Sequence, residues 1–337
     1  MPTKMTIFLS TLLARLTVMP TTSLERSIAQ ALAYADVFDY PLTSAEIHRY
    51  LIGLAAPLPA VQAALDTASG PGGWIQREGP HFTLSGRRAL VDTRRSRSLA
   101  ADRLWPHAVN YGRRISRLPF VRMVAVSGAL AVENPAENAD IDYLIVTAPG
   151  RLWLCRGLIL LLARLATRTG VTLCPNYLIA RTERALVFPE QNLYTAHEVA
   201  QMVPLGGMDV YNELRQRNRW VLDFLPNASG APQPHRAPGG TRAASSAGNR
   251  FLEAALSTRP VDRLEAWEMQ RKIHRLTREM GASSEASFGP EWCKGHFHYH
   301  GQQTMEAFAA RFASLTETRS RDAQEVRSWG EGAKTVP

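Results

Sequence analysis

Asp140 and Asp142 flank Ile141 at the entrance to the apolar run Tyr143-Leu144-Ile145-Val146-Thr147. Side chains two apart on a strand share a face, so the two carboxylates point the same way while Ile141 points into a core. Two like charges this close repel unless a cation, a basic partner or a shared proton neutralises them. With oxygen ligands in view, the cation that fits is Mg²⁺, or Mn²⁺ in its place. Upstream, the β-branched run of residues 121–126 stops at Ser127-Gly128. Lacking a side chain, Gly128 lets the backbone approach an anion; the amides opening the turn at 129–132 would face that anion, and Ser127 adds a hydroxyl.

Two strands with a short helix and a loop between them are needed to bring these residues together. A helix over 151–169 follows, and its apolar stretch is interrupted by Arg156 and Arg164 and too short to span a bilayer, so it reads as a helix buried behind the sheet. The next run, 171–180, reads as a strand whose ladder Pro175 interrupts, which predicts an edge or a bulge.

The order strand, Ser-Gly, short helix, loop and Asp-x-Asp strand resembles the DNA polymerase beta-like nucleotidyltransferase superfamily over residues 118–180. It is also similar to uncharacterised bacterial nucleotidyltransferase-domain proteins that carry an N-terminal winged helix. The resemblance implies an α+β fold with a small mixed β-sheet flanked by helices, and Mg²⁺-dependent transfer of a nucleoside monophosphate from a nucleoside triphosphate to an acceptor. It casts Asp140 and Asp142 as the catalytic, metal-binding pair, and Ser127 and Gly128 as the triphosphate turn. Arg151 and Asn176 join them as nucleotide-binding candidates. A third acid is expected on the later strand, where this chain has Asn176. An amide offers a carbonyl oxygen but no charge and cannot act as general base. Glu133 and Glu183 are the nearest acids in sequence, and a catalytically inactive nucleotide-binding sensor is the alternative reading.

Residues 23–86 show three helical segments, 24–38, 45–52 and 59–67, the second opened by the capping box Thr43-Ser44-Ala45-Glu46. Two short strands flank Glu78-Gly79-Pro80. Three helices and a wing resemble a winged helix-turn-helix domain, yet the third helix, PAVQAALDT, has no Arg or Lys to contact phosphates. A DNA-binding regulator is thus disfavoured against a structural or protein-binding module. Residues 87–117 form a basic connecting helix in which Pro106 is expected to kink or end the chain's helical path. Its arginines, with Arg122 and Arg151, are candidates for phosphate contact.

After 118–227, which holds the core and its helical support, 228–248 is rich in Pro, Gly, Ser and Ala and reads as a linker. Beyond Ala180 the segments 194–203 and 208–224 read as helices, offering Glu198, Gln201, Asn212, Asn218 and Trp220 toward a base or acceptor. A helical region, 249–315, follows, and within it Cys293, His296, His298 and His300 have the alternation of a transition-metal site or, more simply, of a surface loop. Residues 1–22 and 316–337 read as flexible ends.

A net charge of +9, with arginine far outnumbering the lysines Lys4, Lys272, Lys294 and Lys334, favours anionic partners. The acceptor class stays open among small molecule, RNA and protein. Three widely spaced cysteines give no disulfide framework and fit a reducing cytoplasm. No segment reads as a membrane span.

Overall fold

The computed structural model describes residues 22–70, 73–232, 247–280, 287–294 and 300–315 as a mixed α+β chain. The fold divides into two compact units. Among the described residues, one comprises those within 22–94, 223–228 and 302–315, the other those within 95–222 and 229–301.

In the first unit, α1 (Ser23–Asp36) and α2 (Ser44–Arg49) each open with a capping box, Thr22 with Glu25 and Thr43 with Glu46. These two reciprocal bonds satisfy amides that the helix itself cannot. Helix α3 (Leu58–Ala68) starts after Pro57 and carries Pro59 in its first turn, where a missing N–H costs nothing. Three strands, β1 (Leu42–Thr43), β2 (Ile75–Glu78) and β3 (His81–Leu84), pair antiparallel in the order β1-β3-β2. Ile28, Leu32, Ile47, Leu51, Val61, Leu65 and Phe82 are buried in this unit. Glu46 ties it together: it accepts from Tyr40 Oη at 2.6 Å and from both terminal nitrogens of Arg94 at 2.8 and 2.9 Å. Burial alone would push the Glu46 carboxyl up, but Arg94 and the Thr43 amide hold it below its ordinary range. Residues 300–315 are helical, and Phe308 meets Tyr34 edge-on at 5.8 Å.

Helix α4 (Leu90–Ser116) begins in the first unit and continues in the second. Pro106 sits inside it and does not end it. The buried face of Ala101, Trp105, Ala108, Tyr111 and Ile115 outweighs one lost backbone bond.

The second unit is built on a six-stranded sheet ordered β7-β4-β5-β6-β9-β8. Strands β4 (Val121–Val126) and β5 (Ile141–Thr147) run antiparallel, whereas β5 and β6 (Leu173–Ala180) run parallel, joined through α6 (Leu152–Thr167). One face, carrying Val124, Val126, Ile141, Tyr143, Ile145 and Leu178, packs with α4 and α6 into the main core. Tyr143 Oη donates to the Ala108 carbonyl at 2.7 Å, locking β5 to α4. Helix α11 (Arg259–Met280) supplies Glu265, whose carboxylate accepts from the amides of Trp153 and Leu154 at 2.8 and 2.7 Å and so caps α6 from outside.

Three strands depart from the helical reading of the C-terminal half. Val203–Gly206 is β7, an edge strand on β4. Pro204 lies within it, and an edge is where a strand tolerates proline. The short strands β8 (Ser287–Phe288) and β9 (Trp292–Lys294) close the other edge, β9 pairing with β6. The Pro175 interruption appears as a bulge: Asp142 pairs with Cys174 but Leu144 with Tyr177, so Pro175 and Asn176 together oppose Tyr143.

Candidate functional site

Helix α5 (Gly128–Ala131) is a single turn between β4 and β5, and its first residue fixes the local geometry. Gly128 has φ +65°, and a β-carbon there would fall 2.5 Å from Asp142 Oδ2. The Asp142 carboxylate therefore occupies the space a side chain at 128 would need, and the Ser127 amide donates to the Asp142 carbonyl at 3.0 Å. Ser127 is 2% exposed, and its Oγ is buried without a hydrogen-bond partner. Such an orphan hydroxyl costs free energy unless something occupies the space it faces.

Asp142 sits on the sheet face opposite the main core. Burial, with the charge of Asp140 adding to it, pushes its carboxyl up to about 6, although a hydrogen bond from Cys174 opposes the shift. The Cys174 thiol is in turn pushed up to about 12, by burial first and then by Asp142. Asp140 precedes β5 and is exposed, so only Asp142 lies within the strand.

A third acid reaches this face from a helix. In α7 (Leu193–Gln201), which contacts α5, Glu198 accepts a hydrogen bond from Tyr177, leaving its Oε2 buried and hydrogen-bonded to nothing. Burial raises its carboxyl to about 7; the charge of Asp142 adds to the rise, and Lys294 opposes it. The stem of Glu198 is partly exposed, but the oxygen that matters is out of solvent. Sequence had marked Glu198 only as one polar helix residue among several, and its coupling to Asp142 is a tertiary fact. Neighbouring His197 is kept neutral by burial, its pKa held down at about 3, with Nδ1 3.2 Å from Gln201 Nε2.

Asn176 is 5% exposed in the bulge beside Asp142. Glu183 is not a substitute acid: its side chain is 90% exposed and pairs with Arg217 at 3.5 Å. Asn218 does not face a ligand either. It is 1% exposed and spends its amide on Leu186, Leu214, Phe188 and Trp220.

Arg122 and Arg151, two of the candidates for phosphate contact, lie at the ends of β4 and β5 away from Ser127. Val121 pairs with Thr147, while Val126 pairs with Tyr143. At about 3.3 Å per residue, Arg122 is therefore roughly 15 Å along β4 from Ser127, and Arg151 lies beyond the far end of β5. Both are also committed: Arg122 to Glu253 at 2.8 Å through each terminal nitrogen, Arg151 to Asp262 at 2.7 Å. Just before and along α4, Arg87 pairs with Asp36 and Asp39, Arg88 with Glu78, Arg94 with Glu46 and Arg103 with Glu137. They balance this protein's own acids.

Of the Cys293, His296, His298 and His300 candidates, the structure describes Cys293 and His300. Strand alternation turns Cys293 onto the helix-covered core face, 2% exposed, where burial raises its thiol. His296 and His298 lie outside the described residues.

Two aspartates and a serine hydroxyl are hard oxygen donors of the kind Mg²⁺ takes. Among the described residues no three His, Cys, Asp or Glu side chains are grouped to hold a metal on their own. A cation at Asp140 and Asp142 would complete its shell from water and substrate phosphates, as Mg²⁺ usually does. Also among the described residues, no helix is long and apolar enough to cross a membrane. Compared with known family models, curated proteins and solved structures, the chain matches none.

Proposed function

We propose that the second unit is a polymerase beta-like nucleotidyltransferase whose site lies where β4 and β5 meet α5 and α7. The observation that carries this reading is the convergence on one face of a bare buried hydroxyl at Ser127, a side-chain-free backbone at Gly128 and the carboxylates of Asp142 and Glu198. Ser127 Oγ and the turn at Gly128 would bind the β and γ phosphates of a nucleoside triphosphate. Asp140 and Asp142 would hold Mg²⁺, which when bound stabilises charge on the reacting phosphate oxygens. Glu198 takes the role that Asn176 cannot fill. With its proton affinity near neutral, it accepts the proton of an acceptor hydroxyl. That oxygen bonds to the α-phosphorus as the bond to the bridging β-phosphate oxygen breaks, and pyrophosphate leaves.

For the first unit we read a winged helix that serves as a structural or protein-binding module. Its third helix has no basic residue, Asp66 on that helix pairs with Arg77, and the arginines following the wing are paired with Asp36, Asp39, Glu78 and Glu46. DNA phosphates would have to compete with those partners.

The test is incubation of the purified chain with each α-labelled NTP and Mg²⁺ in the presence of cell extract, beside the Asp140→Asn/Asp142→Asn double variant and Glu198→Gln. Label on an acceptor with the wild type alone supports the transferase. Nucleotide bound without any transfer or pyrophosphate release supports the sensor reading, which Asn176 in the third-acid position favours.

A further inference from the structure

Beside the carboxylates lies a cavity of about 660 Å³ that the transfer chemistry leaves without a role. Tyr177 of β6, Trp292 and Lys294 of β9, and Phe188 are among its walls. The register explains why they meet: Tyr177 pairs with Lys294 and Ile179 with Trp292, so these side chains share the sheet face that carries Asp142. Phe188 then packs its ring 5.2 Å from Trp292 at 84° and 6.0 Å from Tyr177 at 59°. Tyr177 and Phe188 are each only 3% exposed, and Lys294 lies over the Tyr177 ring at 5.9 Å, so the partly exposed Trp292 offers most of the ring surface to which another ring can pack.

We propose that this cavity binds a planar aromatic ring. The volume falls within the range of small-molecule sites, and the walls combine several rings and prolines with a minority of polar side chains, the usual composition of such a site. The wall does not call for an anion: its two cations, Arg184 and Lys294, are matched in number by the carboxylates Glu190 and Glu291, and Glu190 meets the Lys294 ammonium at 3.4 Å. Two residues are shared with the carboxylates. The ring of Tyr177 lines the cavity while its hydroxyl donates to Glu198, and Lys294 lines the cavity while its charge acts on Glu198. On the transferase reading, and resting on it, the ring belongs to the acceptor, whose hydroxyl would enter toward Glu198 past Tyr177.

The experiment uses the full chain without nucleotide or metal and two probes of similar size, planar 2-naphthol and its fully saturated analogue decahydro-2-naphthol. Binding is followed by titration calorimetry and saturation-transfer NMR. 2-Naphthol is expected to bind and the saturated alcohol to bind far more weakly. Trp292→Leu should weaken 2-naphthol about five- to tenfold, the size of one aromatic contact, and Trp292→Phe should restore most of it. Equal affinity for the two probes, or a Trp292→Leu variant with unchanged melting that binds 2-naphthol as wild type does, would overturn the proposal. Because this readout needs neither NTP nor Mg²⁺, a failure of nucleotidyl transfer with intact naphthol binding removes the transferase reading alone.

Discussion

Oδ2 of Asp142 stands 2.5 Å from the point where a side chain at Gly128 would begin, and Gly128 itself is held at φ +65°. Alanine at 128 therefore meets two penalties, a left-handed backbone and a displaced carboxylate. The backbone strain alone costs about 1–3 kcal/mol. Gly128→Ala should lower the urea midpoint by more than that strain explains, and Gly128→Ala/Asp142→Ala should recover the difference. Strictly additive losses would show that the two residues do not press on each other.

Glu198 makes a prediction with a definite sign. Its carboxyl lies at about 7 in the folded chain against an ordinary 4.5, so the folded state binds the proton more tightly than the unfolded state does. The stability this gives is fully present below pH 4.5 and is lost as pH rises to about 7. At about 1.4 kcal/mol per unit, the full penalty above neutrality is on the order of 3 kcal/mol. Glu198→Gln, which cannot ionise, should therefore be more stable than wild type at pH 8 and show no gain at pH 4. A difference in denaturation midpoint that is the same at both pH values would mean that the Glu198 charge is solvated.

How much of this was legible follows from distance along the chain. Ser127, Gly128 and Asp142 belong to one strand-turn-strand unit, where a period of two and a glycine turn announce the geometry locally. The bulge at Pro175 was equally local. Glu198 reaches the same face only because α7 packs against α5, and nothing in its own segment sets it apart from Gln201 or Asn212. Arg122 and Arg151 are the complementary case. They are neighbours of the motifs in sequence, but the antiparallel register of β4 and β5 carries them to the opposite end of these strands. Strands β7 and β9 were hidden because they are only a few residues long and hold no alternating pattern of their own, taking it from the strands they join.

Arg122 should accordingly behave as a structural residue. It forms a bidentate pair with Glu253, which also accepts from the Phe120 amide at 2.7 Å, and neither side chain is more than about a third exposed. Arg122→Ala would leave a half-buried carboxylate holding one amide, at a cost of about 1–2 kcal/mol. Nucleotide affinity should stay within twofold of wild type in Arg122→Ala and in Arg151→Ala. A tenfold loss of affinity in either, measured by titration with a nonhydrolysable NTP, would place phosphate at that end of the sheet.

Asn218 offers the sharpest separation of support from chemistry. Its Oδ1 accepts from the Phe188 amide at 2.8 Å and from Trp220 Nε1 at 3.1 Å, while Nδ2 donates to the carbonyls of Leu186 and Leu214 at 2.6 and 2.8 Å. The residue is 1% exposed, so water cannot replace these bonds without entering the core. Alanine would leave the Phe188 amide and the Leu186 carbonyl unsatisfied, each worth about 1–3 kcal/mol when buried. Asn218→Ala should therefore cost about 3 kcal/mol or more, and the Phe188 amide should exchange with deuterium much faster than those of β5. Because Phe188 is a wall of the aromatic cavity, 2-naphthol affinity should fall with it, whereas Asn218→Asp, which keeps the acceptor for the Phe188 amide, should lose stability but retain more of that affinity. Unchanged exchange at Phe188 in Asn218→Ala would mean that the segment is held by the sheet and not by this side chain.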